Sequence, residues 1–196
     1  LGTVGLFSAF STSLYVLSFY VLIVAVLSFL LSVYYNTKGK KHGFWGNLMV
    51  SGCVAVPFIY GAFVVGVLPG VLLLMFALMA FLSNTGREIV KGIADIEGDR
   101  IRKIETLAIK LNPREAAYVA FLFYVFAVGL SFLPLIFSMV SYWYLPPITV
   151  SWIGFLVTAF WTVKNPSTKN AKKMKKITLV WMGFGLLAFV FGSVLT

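Results

Sequence analysis

Residues 70–100 read GVLLLMFALMAFLSNTGREIVKGIADIEGDR, an apolar run that passes directly into a dense block of charge. The first part, 70–86, is within the range of about 17 to 25 apolar residues that a helix needs to cross a bilayer. The second part, 87–100, holds four of the six carboxylate side chains in a chain of 196 residues. We therefore expect a transmembrane helix whose charged end carries the chemistry.

The composition favours the same kind of fold for the whole chain. Apolar residues make up 60% of it and charged residues only 11%, which is too little charge for the surface of a soluble domain. The apolar runs do not alternate with polar residues as the strands of a transmembrane barrel do. The predicted fold class is all-α, a polytopic transmembrane helix bundle that forms a single domain over 1–196. About seven spans are expected, at about 1–13, 16–35, 44–65, 70–86, 114–137, 148–163 and 177–195.

The basic residues predict how these spans are oriented. All sixteen fall within three segments, 36–43, 87–114 and 164–176, whereas the intervening connections 66–70 and 138–147 contain none. Because Lys and Arg are enriched in cytoplasmic loops, the three charged segments are placed in the cytoplasm of an integral protein of the cell membrane. The net charge of +10 then reflects orientation and attraction to lipid headgroups, not binding to nucleic acid.

One helix start can be predicted residue by residue. Asn112 suits the N-cap, Pro113 the first helical position and Glu115 the third,. The helix over 114–137 should therefore begin directly after the charged segment.

The charged block has the spacing of a helix face. If the 70–86 helix continues beyond the membrane, i+3 and i+4 steps align six polar side chains. These are Asn84, Glu88, Lys91, Asp95, Asp99 and Arg102. Asp95 and Asp99 lie one turn apart, so a divalent cation such as Mg²⁺, which prefers oxygen ligands, would relieve the repulsion between them. Lys91 and Arg102 are suited to phosphate oxygens.

A second interpretation of the block stays open at this point. It could be a solvated interfacial helix whose acids simply pair with nearby Lys and Arg side chains. Acids are costly near a bilayer unless they are paired or functional, and spacing alone favours neither interpretation strongly.

Two motifs resemble the UbiA superfamily of intramembrane prenyltransferases, over essentially the whole chain. The stretch Arg87-Glu88-Ile89-Val90-Lys91 followed by Asp95-Ile96-Glu97-Gly98-Asp99 is similar to the second aspartate-rich motif of that superfamily, in the form of its archaeal ether-lipid branch. The stretch from Tyr35 to Lys41 with Gly46-Asn47 is similar to its Y-x-x-x-x-K-[RK] cytoplasmic loop. The resemblance implies that the chain corresponds to the C-terminal two-thirds of a nine-helix fold.

The resemblance implies a Mg²⁺-dependent enzyme that transfers a prenyl group from a prenyl diphosphate. In the archaeal branch the donor is geranylgeranyl diphosphate and the acceptor is the lipid geranylgeranylglyceryl phosphate. Asp95 and Asp99 would be the catalytic, metal-binding residues. The diphosphate contacts would be Lys40, Arg87, Lys91 and Arg102, and the acceptor phosphate would meet Arg100, Arg102 or Lys103.

The chain departs from the family pattern in three places. The first aspartate-rich motif, N-D-x-x-D, is absent from these 196 residues. Gly92 stands where the archaeal branch often has an acid, and Glu105 stands where a basic residue usually precedes T-L-A.

Three alternatives to ether-lipid synthesis follow. One is prenyl transfer to an aromatic acceptor in quinone or haem biosynthesis. Another is an inactive, lipid-binding fragment, which the missing first motif favours. The third, a small transporter or channel, predicts polar or charged residues near the middle of the membrane, and the predicted spans contain no charged residue.

Overall fold

The computed structural model describes residues 19–37, 39 and 43–194, and all the regular structure within them is helical. One short 3₁₀ helix spans Tyr142–Tyr144. The helices in chain order are α1 (Phe19–Thr37), α2 (Phe44–Val64), α3 (Val71–Ala94), α4 (Ile96–Ile101), α5 (Leu107–Lys110), α6 (Pro113–Leu130), α7 (Leu133–Ile136), α8 (Leu145–Lys164) and α9 (Thr168–Val194).

Six helical segments of the described residues are long and apolar enough to cross a membrane. They are Phe19–Thr37, Phe44–Val64, Val71–Ala94, Pro113–Ile136, Tyr142–Lys164 and Thr168–Val194. The predicted all-α polytopic bundle is therefore confirmed. The remaining predicted span, 1–13, lies outside the described residues.

Two helices extend beyond their predicted membrane spans, each at its charged end. Helix α3 does not end at 86 but continues to Ala94, and α9 begins at Thr168, well before 177. Lys, Glu and Arg are good helix formers, so a helix need not end where its apolar stretch ends. Much of the segment 164–176, predicted as a loop, is consequently the first part of α9.

The predicted start of α6 is confirmed in detail. Pro113 is the first helical residue, and the Asn112 side chain accepts a hydrogen bond of 2.9 Å from the backbone N–H of Glu115. This bond satisfies one of the backbone donors that a helix start leaves without an intrahelical partner.

Helix α3 is the centre of the bundle. It packs against α2, α6 and α9. More than half of the residues in its apolar stretch are buried, whereas very few of those in α1 are. Antiparallel neighbours bring the start of α2 and the start of α9 to the end of α3. The charged end of α3 therefore lies within the protein, among other helix ends.

Glycines allow two pairs of helices to approach closely. A Cβ atom on Gly86 of α3 would lie 2.7 Å from the Tyr124 ring of α6, and one on Gly154 of α8 would lie 2.2 Å from the Trp181 ring of α9. The indole N–H of Trp181 donates to Thr158 Oγ1 at 2.9 Å, which fixes that ring against α8.

We predict that Gly154→Ala destabilises the bundle because the added methyl group overlaps the Trp181 ring. Overpacking of this kind costs about 1–3 kcal/mol, and thermal unfolding in detergent measures it. Gly129→Ala is the control, since a Cβ at this helical glycine meets no atom within 4 Å. An equal effect of both variants would contradict the close approach of α8 and α9.

Candidate active site

A polar cavity of about 440 Å³ lies where α1 and α3 end and α2 and α9 begin. Both signs of charge line it. Its walls are formed by Tyr35, Gly43, Gly46, Asn47, Glu88, Lys91, Gly92, Ala94, Asp95, Glu97, Gly98, Asp99, Arg102, Ile104, Thr106, Thr168 and Lys172. We refer to it below as the polar cavity.

Asp95 lies at a break between two helices. Helix α3 ends at Ala94, Asp95 adopts φ −108° and ψ 10°, and α4 begins at Ile96. The hydrogen-bond pattern nevertheless continues through the break, because Asp95 N–H donates to Lys91 O and Asp99 N–H donates to Asp95 O, each at 2.9 Å. Asp95 and Asp99 thus stay one turn apart, and both line the polar cavity.

Glu88 is a buried acid held between two cations. Its side chain is only 5% exposed, and its two carboxylate oxygens accept from Arg87 at 2.7 Å and from Lys91 at 2.9 Å. A buried carboxylate needs such partners, because leaving water is costly for an unpaired charge. Glu88 thereby restricts the positions of two basic side chains at the edge of the polar cavity.

Asp95 has its cationic partner on the last helix. Lys175 Nζ lies 2.9 Å from Asp95 Oδ1 and 3.2 Å from Oδ2, so the ammonium group bridges both oxygens. Pairing of acids with nearby bases, the second interpretation of the charged block, therefore describes Glu88. Asp95 is also paired with a base, but that base lies on another helix, 80 residues away in the sequence.

The structure brings most of the predicted site residues together. Asp95, Asp99, Lys91 and Arg102 line the polar cavity. Arg87 does not line the cavity, but it pairs with Glu88, which does. Lys40, the remaining predicted diphosphate contact, lies outside the described residues.

Other residues of the predicted helix face have different environments. Asn84 is buried below the polar cavity, where its side chain donates to Ser51 Oγ at 3.2 Å. Arg100 and Lys103 are exposed and are not part of the cavity wall. Of the three residues suggested for an acceptor phosphate, only Arg102 lines the cavity.

The donor set of the polar cavity fits Mg²⁺. Among the described residues no group of three or more His, Cys, Asp and Glu side chains could hold a metal. However, Mg²⁺ is usually bound through one or two carboxylates, with waters and substrate phosphates completing its shell. Asp95 and Asp99 supply two carboxylates on one wall. Thr106 also lines the cavity, and its buried hydroxyl has no hydrogen-bond partner within the described part of the chain.

Gly92 and Glu105, the two residues that differ from the family pattern, do not block this site. Gly92 lies in the wall, where a Cβ would meet Thr106 Cβ at 3.5 Å, which is ordinary contact. Glu105 is exposed and pairs with Lys110 at 2.9 Å. The hydrogen bond from Lys110 lowers the pKa of Glu105, so this residue is a carboxylate on the surface and not a wall of the cavity.

An apolar cavity of about 280 Å³ lies deeper along the same helices. Phe76, Met79 and Ser83 of α3 contribute to its wall, as do Val54 and Phe58 of α2. Since Ser83 is five residues before Glu88, and a helix rises about 1.5 Å per residue, this apolar cavity lies roughly 8 Å from the polar one along α3.

Three residues of the site were not found by sequence reasoning. Lys175 and Lys172 belong to a lysine-rich segment whose charge predicts only the orientation of the protein in the membrane. Tyr35 enters the sequence analysis only as part of a loop motif. No local spacing connects α9 to Asp95. The one available signal was that the positive-inside rule places all three charged segments on one membrane face.

Comparisons with known proteins show the family and the fold. The UbiA prenyltransferase family matches residues 1–193 of the chain. The digeranylgeranylglyceryl phosphate synthase of Archaeoglobus fulgidus is 35% identical over 162 residues, which cover 81% of this chain and 55% of that protein. The enzyme of the same name from Thermococcus sibiricus is 35% identical over 182 residues, which cover 92% of this chain and 63% of that enzyme.

A solved structure from work on digeranylgeranylglyceryl phosphate synthase in membranes has the same fold. It matches with a TM-score of 0.83 and 32% identity, over 94% of this chain and 64% of that one. The chain spans about 55% to 60% of the length of the first curated relatives that it matches.

We predict that Glu88→Gln destabilises the protein, because two cations lose the carboxylate that compensates them. Removing the charged partner of a buried pair costs about 1–3 kcal/mol or more, measurable as a lower midpoint of thermal unfolding. Glu105→Gln is the matched control. Its ion pair with Lys110 is exposed on both sides, so the midpoint should stay unchanged. Equal midpoints for wild type and Glu88→Gln would refute the proposed burial of this charge.

Proposed function

The chain belongs to the UbiA prenyltransferase family, and we propose that the protein transfers a geranylgeranyl group from geranylgeranyl diphosphate to the hydroxyl of geranylgeranylglyceryl phosphate in archaeal ether-lipid synthesis. The observation that carries the proposal is a polar cavity lined by four carboxylates, Asp95 and Asp99 among them, and several cations, followed along the same helices by an apolar cavity. A charged headgroup attached to a long apolar chain requires this combination. The names of the similar archaeal enzymes support this choice of donor and acceptor.

Asp95 and Asp99 are the proposed metal-binding pair and the residues on which catalysis depends. When bound, Mg²⁺ would neutralise diphosphate oxygens and stabilise the negative charge that grows on the leaving group as its C–O bond breaks. The two aspartates lie one turn apart on the same wall of the cavity, so the metal ion and the diphosphate would bind at that wall. Positioning of this kind lowers the barrier because it is in place before the reaction starts.

The basic residues of the site would bind the diphosphate directly. Lys91 and Arg102 line the polar cavity, and Arg87 is held beside it by Glu88. Lys40 remains a proposed contact on the strength of its loop motif. Their positive charges attract the donor in its ground state and stabilise the departing diphosphate still more as its charge increases.

The apolar cavity would hold prenyl carbon atoms and keep water from the reacting carbon. Its wall is almost entirely apolar, with Phe58, Phe76, Trp152, Phe155 and Phe189 among its residues. An allylic cation formed on ionisation would be captured by water, so exclusion of water protects the transfer to the lipid hydroxyl.

The proposal also includes an orientation and a domain organisation. The described charged connections and the lysine-rich start of α9 lie at the end of the bundle that holds the polar cavity, and the positive-inside rule assigns this end to the cytoplasm. Residues 1–196 would form one prenyltransferase domain, so that both substrates' polar groups approach from the cytoplasmic side of the cell membrane.

We predict that Asp95→Asn and Asp99→Asn each reduce Mg²⁺-dependent turnover roughly 100-fold or more, since each removes a carboxylate that holds the charge-stabilising cation. The measurement is prenyl transfer from geranylgeranyl diphosphate by the purified protein in lipid nanodiscs. Glu115→Gln is the control, because it makes the same change at an exposed helix start and should retain turnover. Normal turnover in either aspartate variant would refute the assignment.

We also predict which acceptor is used. With geranylgeranyl diphosphate as donor, geranylgeranylglyceryl phosphate should be prenylated and an aromatic acid such as 4-hydroxybenzoate should not, because the similar archaeal enzymes are named for the synthesis of digeranylgeranylglyceryl phosphate. Product analysis by mass spectrometry distinguishes the two. Preferential prenylation of the aromatic acid would replace the ether-lipid assignment with the aromatic-acceptor one.

A further inference from the structure

Lys175 occupies the position at Asp95 that a bound cation would need. Its ammonium nitrogen lies 2.9 Å and 3.2 Å from the two carboxylate oxygens. The pair is partly shielded, with the Lys175 side chain 20% exposed and the Asp95 side chain 38% exposed. A divalent cation that took both oxygens would have to displace this ammonium group, because the two positive charges repel at such distances.

The displaced ammonium group would remain beside the polar cavity, where the diphosphate is proposed to bind. Lys172, one turn earlier on the same face of α9, already lines the polar cavity,. Lys175 therefore points from the same helix face towards the same cavity. The flexible four-carbon side chain of lysine can move its charge by several ångströms without moving the helix.

We propose that Lys175 is a positioning residue that exchanges partners during substrate binding. In the absence of the metal ion it neutralises Asp95 and keeps that carboxylate ordered. When a divalent cation and a diphosphate enter, the ammonium group leaves Asp95 and binds a diphosphate oxygen, so the site never holds an uncompensated charge. This inference rests on the proposed function, since it assumes that Asp95 is a metal ligand.

The exchange predicts opposite effects of one substitution on two ligands. With Mn²⁺ as the only ligand, Lys175→Met should bind the metal about two- to fivefold more tightly, because the ammonium group no longer competes with the metal ion for Asp95. With Mn²⁺ and inorganic pyrophosphate together, the same variant should bind pyrophosphate about two- to fivefold more weakly, because a cationic contact is lost. Free Mn²⁺ measured by electron paramagnetic resonance and pyrophosphate binding measured by calorimetry report the two affinities without turnover.

Three further variants make the test decisive. Lys173→Met removes an exposed lysine of the same helix segment and should change neither affinity, whereas Lys175→Arg keeps the charge and should resemble wild type. If Lys175→Met does not fold, Lys175→Gln, which can still donate a hydrogen bond to Asp95, carries the same two predictions.

The outcomes separate this inference from the proposed function. If wild type binds Mn²⁺ and Asp95→Asn does not, but Lys175→Met leaves both affinities unchanged or tightens both, the exchange is refuted and the metal site stands. If wild type binds no Mn²⁺ with or without pyrophosphate, the metal site and the exchange fail together. Opposite changes in the two affinities support the exchange.

Discussion

The hydrocarbon core of a bilayer offers no hydrogen-bond partners to the backbone and almost no solvation to charge, and the structure follows from this constraint. Spanning segments must satisfy their own backbone hydrogen bonds, which the described apolar segments do as helices, and ionisable side chains must lie at helix ends or be paired. Helix α3 meets both demands within one element. Its first part is apolar and packed against α2, α6 and α9, and its last turns carry Arg87, Glu88 and Lys91 as a paired set.

The pairing of Glu88 links stability to the proposed chemistry. A buried carboxylate is tolerated because two cations contact it, and the same contacts hold those cations beside the polar cavity. The break after Ala94 has a related consequence. It gives Asp95 a non-helical backbone while the turn from Asp95 to Asp99 is retained, so two carboxylates share a wall and one of them, Asp95, contacts Lys175 of helix α9.

Glycine sets how closely the supporting helices approach. Gly86 accepts the Tyr124 ring, and Gly154 accepts the Trp181 ring. Small residues have this role between membrane helices because close packing, not the hydrophobic effect, drives their association in lipid. These contacts hold α3 against α6 and α8 against α9, and both α3 and α9 contribute residues to the wall of the polar cavity.

The sequence by itself determined the helical membrane fold, the start of α6 at Asn112 and Pro113, and the common location of Lys91, Asp95, Asp99 and Arg102. These features depend on composition or on spacings within one or two turns, which a helix converts directly into geometry. It did not reveal that α9 begins at Thr168, because helix-forming lysines obscure the boundary. Only the tertiary structure decided that Lys175 contacts Asp95, that Glu88 is buried, and that an apolar cavity follows the polar one. Those contacts join residues on different helices, and they depend on how side chains pack between helices, which no periodicity along the chain encodes.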